Sequence, residues 1–347
     1  KPEDLLHLLA PYLATDRFRA LLRGANLPAT AQGAVLNVDI SGFTPLTTQL
    51  VAEFGAQRAS DELKRRLNPM FEAIAGLVFH HGGSVIRFMG DGFTAWFDDQ
   101  PIDADQPPLL GVLRAVSAAA QMQAIMGAMR LFRGLRLRIY IGMGSVDRWA
   151  VGLPQFGYAD VLSGAAVQSA LSLIVETQPE QVVVHADCVP VLREAGVALQ
   201  LHETGNALVV SVPDELAERA RAARWAAWQA QGDAAQVLEA VRPYVTHFVR
   251  ERLSNGLGDY VGDLRYAIPM FVKLGLGKSG RLDYARYEAE RFRSALDAYV
   301  CNAQRTLAEF GGQLMSVEVS DKGCVLFAVF GAPVTYGDDA ERALRAA

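Results

Sequence analysis

Two aspartates mark where this sequence could do chemistry. Asp39 stands near the end of a short apolar run, Val35 to Ile40, bounded by Gly33 and Gly42. Such a run reads as a buried strand, where a lone carboxylate is costly unless paired or bound to metal. Asp91 sits in Gly90-Asp91-Gly92, a strong hairpin signal between the strand-like runs Val85 to Phe88 and Phe93 to Phe97. Taken singly, each has an ordinary reading, Asp39 as the cap of the next turn and Asp91 as a turn residue. Together, on a central strand and a hairpin of one sheet, they can share one edge. Like charges held close call for a cation, and hard oxygen ligands suit Mg²⁺, which binds through one or two carboxylates plus substrate phosphates. Between Asp39 and a helix beginning near Pro45 runs Ile40-Ser41-Gly42-Phe43-Thr44. This loop feeds a helix N-terminus, whose free amides favour phosphate. A metal pair beside a phosphate cradle is the outline of two-metal phosphoryl or nucleotidyl transfer.

The elements that must position these residues follow from local pattern. Thr44 is the expected N-cap of the first long helix, with Pro45 at its first position. Leu63, Leu67, Met70, Phe71, Ile74 and Val78 recur at helical spacing, and Gly82 and Gly83 end the helix. A second helix is expected over Ala115 to Arg130, and further strands over Leu135 to Met143, Val182 to His185 and Leu208 to Val212. The order β-α-α-β-β-α-β fits an α+β sandwich, with helices on one face of a mostly antiparallel sheet.

This unit is repeated. Leu67 to Asp99 runs as amphipathic helix, Gly-Gly, strand, turn, strand, and Leu296 to Pro333 runs the same way. A strand precedes each, within Gly33 to Phe43 and within Tyr266 to Leu276. The chain therefore divides into an N-terminal helical segment (1–30), a first copy (31–212), a helical connector (213–262) and an incomplete second copy (263–347). The connector is rich in Ala, Arg and Glu, and Trp225 and Trp228 are expected to pack against a domain. Setting Gly82-Gly83 over Gly311-Gly312 without a gap places Asp91 opposite Ser320, Arg87 opposite Ser316 and, in the leading strands, Asp39 opposite Lys273.

Bulk properties narrow the function classes. The 347 residues are 51% hydrophobic and carry a net charge of −5, which invites neither nucleic acid nor an acidic membrane surface. No secretory signal is read, and the apolar stretch Ala115 to Phe132 holds Gln121, Gln123 and Arg130, so it reads as a buried helix. Three scattered cysteines (Cys188, Cys301, Cys324) form no disulfide framework and suit a reducing cytoplasm. His80 and His81, lacking a third ligand at suitable spacing, read as helix-end residues. Both ends read as cut, with further C-terminal domains expected.

Asp39 to Thr44 (DISGFT), Gly82 to Phe97 (GGSVIRFMGDGFTAWF) and Leu137 to Gly152 (LRIYIGMGSVDRWAVG) resemble class III adenylyl and guanylyl cyclases. Asp321 to Pro333 (DKGCVLFAVFGAP) is similar to the second cyclase domain of the tandem, soluble branch. The resemblance implies two ferredoxin-like domains in a head-to-tail pseudo-dimer with the active site at their interface. It implies that Asp39 and Asp91 bind two Mg²⁺ ions (Mn²⁺ able to substitute), with the Ile40 carbonyl as a further ligand. Backbone amides of Ser41, Gly42, Phe43 and Thr44 would hold the β- and γ-phosphates, and Arg138 would contact the triphosphate, against the alternative of a surface arginine on a strand edge. The reaction implied is a phosphorus–oxygen lyase reaction, ATP (or GTP) to cyclic nucleotide and pyrophosphate, in intracellular signalling.

The second copy departs from the pattern. Lys273 and Ser320 hold no carboxylate, although Asp321 is one residue away, and Ser316 matches neither the lysine that reads adenine nor the glutamate of guanylyl cyclases. The alternative reading is therefore a catalytically inactive nucleotide-binding regulatory module. Arg87 keeps the charge of a lysine that binds bicarbonate in the soluble branch, but the arginine position falls on Leu171, so bicarbonate control is not expected. A diguanylate cyclase is set aside because its GG[DE]EF hairpin is absent.

Overall fold

A computed structural model of the chain describes residues 1–100, 109–129, 134–228, 233–254, 266–274, 289–320, 323–332 and 334–347. Two short helices, α1 (Pro2–Leu9) and α2 (Thr15–Leu22), precede the first copy. That copy runs β1 (Thr30–Ser41), α3 (Phe43–His80), β2 (Ser84–Met89), β3 (Gly92–Asp98), α4 (Gly111–Ala128), β4 (Arg136–Val151), β5 (Ala159–Ser163), α5 (Ala165–Ser172), β6 (Val182–Val184), α6 (Val189–Glu194), β7 (Ala198–Leu201) and β8 (Ala207–Ser211). The strands form one sheet in the order β2-β3-β1-β4-β6-β8-β7, with β5 on the far half of β4. Only the β4–β6 pair is parallel.

β1 is central and buried on both faces. Leu36, Val38 and Ile40 enter the main core with Met70, Ile74 and Val78 of α3 and Val116, Ala119 and Met122 of α4. Val35 faces the other way, joining Trp96, Tyr140 and the apolar side of α5. Gln123 explains a polar residue in the apolar α4: its amide donates to the Leu137 and Gln181 carbonyls at 3.1 and 3.2 Å. The expected helix, hairpin and strands of this copy are all present, and β4 extends eight residues past the predicted Met143. Unpredicted elements are β5, α5, α6 and β7. Arg130 lies outside the described residues.

α3 begins two residues earlier than its N-cap signal implied. Gly42 is the N-cap at φ 92°, and Phe43, not Pro45, is the first helical residue. The helix kinks at Gly55, where φ is 75° and ψ 161°. It closes with Gly82 at φ 68°, the Gly82 amide on the Phe79 carbonyl (3.1 Å) and the Gly83 amide on the Val78 carbonyl (2.9 Å). That is a Schellman ending.

The connector carries α7 (Asp214–Ala222), α8 (Ala234–Val241) and α9 (His247–Ser254). α7 docks on the first copy through Leu216 and Ala220. α8 and α9 pack with α1 and α2 in a separate core of Leu6, Leu9, Phe18, Leu238 and Val241. Both connector tryptophans pack. The buried Trp225 indole donates to the Gly83 carbonyl at 2.8 Å, and Trp228 meets the Phe18 ring edge-on at 4.9 Å.

The second copy holds β9 (Ile268–Leu274), α10 (Ala289–Glu309), β10 (Gln313–Ser320), β11 (Gly323–Phe330) and α11 (Asp339–Ala346). Its sheet order β10-β11-β9 repeats β2-β3-β1. α10 ends as α3 does, with Gly311 at φ 77° and the Gly312 amide on the Leu307 carbonyl at 2.7 Å. Both hairpins slip register at the same place, Val85/Arg87 in one and Leu314/Ser316 in the other. The copies meet where Trp149, Val151 and Val161 pack on Phe292, Leu296 and Val300 of α10. Gln304 of α10 stitches this seam, accepting from the Leu153 amide (2.7 Å) and donating to the Gly157 carbonyl (2.8 Å).

Candidate functional site

β1 runs between β3 and β4, so Asp39 pairs with Gly92 on one side and Arg138 on the other. Asp91 immediately precedes Gly92, and its carbonyl accepts the Ile40 amide at 3.0 Å. That bond pins the hairpin tip against the strand end and brings the two aspartates to one edge. Gly92 is required there, since a Cβ would lie 2.2 Å from the Val38 carbonyl oxygen. The next turn is equally tight. A Cβ on Gly42 would sit 2.3 Å from the Gly134 carbonyl oxygen, so only glycine lets the chain leave Ser41 and enter α3 directly. The first amides of α3, at Phe43 and Thr44, lie in the turn that has no intrahelical acceptors.

Among the described residues no group of three or more His, Cys, Asp or Glu could hold a metal. The donor set at this edge is two carboxylates and the Ile40 carbonyl, all hard oxygens. That set fits Mg²⁺ when phosphate oxygens complete the shell.

Arg138 faces Asp39 across the β1–β4 pair. It is on a central strand, so the edge-arginine alternative falls, and its Nη2 donates to Asp39 Oδ2. Its Nε is buried without a partner. Beside it on the same face, Asn37 is buried, its Oδ1 accepting from the Thr94 hydroxyl at 2.7 Å. Tyr140 is buried on that face too, and burial first, then the charges of Asp39 and Glu318, push its hydroxyl up to about 12. Glu318 comes from β10, so the second copy contributes charge to the surroundings of Asp39.

The two hairpins also meet directly. Arg87 donates to the Val317 carbonyl (Nη1, 3.1 Å) and to Glu318 (Nη2, 3.1 Å). Burial holds its pKa below the usual arginine value, with Glu318 opposing the shift. Arg87 and Ser316, expected to occupy matching places, line one cavity of about 180 Å³ with Arg17, Tyr158, Asp160 and Tyr244.

Strand pairing revises one correspondence. The pair Ser84↔Trp96 matches Gln313↔Val329, but β2 and β3 part after Met89↔Gly92, whereas β10 and β11 continue to Ser320↔Gly323. The second hairpin is two residues longer in each strand, which a gap-free alignment cannot represent. Counted from β11, the place of Asp91 belongs to Cys324, a buried thiol pushed up to about 12 by desolvation. Counted from β10 that place stays with Ser320, as in the gap-free alignment, and Asp321 lies outside the described residues. In the leading strand Asp39↔Gly92 matches Lys273↔Val325, and Lys273 is exposed.

Sequence reading missed a buried charge cluster beside the cavity. Arg148 donates to Asp16 and, at 3.0 Å, to Asp160; Arg17 donates to Asp160 at 3.0 Å and faces the Tyr244 ring at 5.2 Å. It joins α2, β4, β5 and the connector. His81 is buried, its Nδ1 2.7 Å from the Leu77 carbonyl, while His80 is exposed.

No protein-family model matches the chain. Among curated proteins, rat adenylate cyclase type 10 is 24% identical over 326 residues, a match spanning 87% of this chain, and the human protein is 23% identical over 335 residues. A span of that share cannot be housed in one copy and must include the connector. The chain is a class III cyclase homologue. It spans 19% of the length of these relatives. Among solved structures, the adenylyl cyclase CyaB from P. aeruginosa is 19% identical, covering 53% of this homologue and 96% of its own chain at a TM-score of 0.43. No helix among the described residues of the homologue is long and apolar enough to cross a membrane.

Proposed function

We propose that this chain is the catalytic core of a nucleotide cyclase, converting ATP to cyclic AMP and pyrophosphate in cytoplasmic signalling. The observation that supports it best is the Ile40–Asp91 hydrogen bond, which holds the Asp91 backbone against the strand end that carries Asp39, next to the Gly42 turn. Residues 31–212 form the first cyclase homology domain and 263–347 the second, paired within the chain.

Asp39, Asp91 and the Ile40 carbonyl would hold Mg²⁺, or Mn²⁺ in its place; two such ions supply charge neutralisation at the attacking and leaving oxygens. The amides of Ser41 to Thr44 bind the β- and γ-phosphates at the α3 N-terminus. The ribose 3′-oxygen attacks the α-phosphorus in line and loses its proton to solvent. The bond to the β-phosphate oxygen breaks, and pyrophosphate leaves with the electron pair. Arg138 meets the charge that accumulates on the triphosphate.

The test is cyclic nucleotide formation from ATP and from GTP with Mg²⁺ or Mn²⁺, beside Asp39→Ala. Cyclic AMP from wild type, lost in the variant, supports the reading. Nucleotide binding with no cyclic product under any pairing supports the second reading, a regulatory nucleotide-binding module. One observation favours that module: Ser316, in the place of a base-reading residue, opens into the Arg87 cavity and lies two residues before Glu318, which is engaged by Arg87.

A further inference from the structure

Asp39 is not an open ligand. Its Oδ2 accepts from Arg138 Nη2, and the two residues face each other across the β1–β4 register. Both side chains are only partly exposed, at 25% for Asp39 and 34% for Arg138. The Arg138 Nε is buried with no acceptor, so the guanidinium makes fewer bonds than it has donors. Neighbouring Arg136 is engaged elsewhere, with Glu180 at 2.8 Å and with the Leu135 carbonyl at 3.0 Å. The carbonyl of Asp91 is held by the Ile40 amide. Among the described residues, Arg138 is the cation paired with Asp39 at this edge.

We propose that Arg138 is a positioning residue that couples metal loading to nucleotide arrival. A divalent ion approaching Asp39 alone must displace the guanidinium or sit beside its positive charge. A triphosphate changes that balance by giving Arg138 a second, multiply charged acceptor whose oxygens reach Nε and Nη together. Arg138 then releases Asp39 to the metal. Metal and nucleotide bind with positive coupling, and by linkage each raises the other's affinity by the same factor. The chain avoids holding an ion at Asp39 when no substrate is present. This inference rests on the cyclase reading, since it needs Asp39 to be a metal ligand.

The experiment titrates Mn²⁺ into the chain by calorimetry, without and with inorganic tripolyphosphate, a probe that leaves base preference aside. Wild type, Arg138→Gln, Arg138→Lys and Asp39→Asn are compared. The expected result is that Arg138→Gln binds Mn²⁺ without tripolyphosphate about tenfold more tightly than wild type, within the range of ordinary couplings. Arg138→Lys, which keeps the charge, stays within about twofold of wild type. An arginine that only contacts phosphate, or only supports the fold, predicts unchanged or weaker Mn²⁺ binding in Arg138→Gln; either result overturns the inference while leaving the cyclase reading intact. Mn²⁺ binding that Asp39→Asn does not weaken, even with tripolyphosphate, removes the cyclase reading and this inference with it.

Discussion

Arg87 on β2 donates to the backbone carbonyl of Val317 on β10, 230 residues later, at 3.1 Å. A main-chain acceptor cannot be moved by exchanging a side chain, so this bond fixes how one copy's hairpin lies on the other's. Arg87→Ala removes it together with the Glu318 pair. Loss of two charge-assisted bonds should destabilise the chain by about 2–3 kcal/mol. A double-mutant cycle with Glu318→Ala, read by urea unfolding, should assign about 1 kcal/mol or less to the Glu318 pair, since Glu318 is partly exposed.

Arg148 holds two carboxylates away from water. Arg148→Ala leaves Asp16 and Asp160 facing each other with Arg17 alone to compensate. Removing one member of a buried ion network costs about 3–5 kcal/mol. The expected outcome is a large fall in urea midpoint, with α2 and the connector losing hydrogen-exchange protection together because both meet at this cluster.

His81 should make stability depend on pH. Burial depresses its pKa from 6.5 to about 4, and its Nε2 has no partner among the residues around it. The unfolded chain therefore binds this proton more readily than the folded one. Stability is full above pH 6.5 and is lost as pH falls through about 4, by roughly 3 kcal/mol in total. Chemical denaturation of wild type and His81→Asn between pH 7 and 4 checks this, the variant showing a flatter profile.

Gly42→Ala tests the turn. The new methyl would meet the Gly134 carbonyl oxygen at a residue with φ 92°, so the backbone must shift between Asp39 and α3. Misplacement of about an ångström can reduce turnover about 100-fold. On the proposed cyclase reading, cyclic nucleotide output should fall by that order, while far-ultraviolet circular dichroism stays that of the parent.

How much of this was legible in the residues follows from the range of each interaction. The Gly-Gly endings of α3 and α10, the Gly90-Asp91-Gly92 turn and the order of the repeated unit are local signals, and they appear in the structure as read. The start of α3 misled because Thr44-Pro45 is a good capping pair, whereas the close approach of Gly134 imposes Gly42 instead. Nothing local relates Asp16 to Arg148, which are 132 positions apart, or reveals that Arg138 faces Asp39 across a strand pair. β5 and α5 escaped notice because Ala159 to Ser172 carries short apolar runs without clear periodicity.

The longer second hairpin shows how duplicated units can drift apart without unravelling. Two added residues on each strand preserve the alternation of inward and outward side chains, so Val317 and Val319 stay inside. A single added residue per strand would have turned the tip inside out. The even step lengthens each strand of the hairpin by about 7 Å. Inheritance could keep the architecture and lengthen the hairpin in one insertion, so divergence here needed parity more than it needed any particular amino acid.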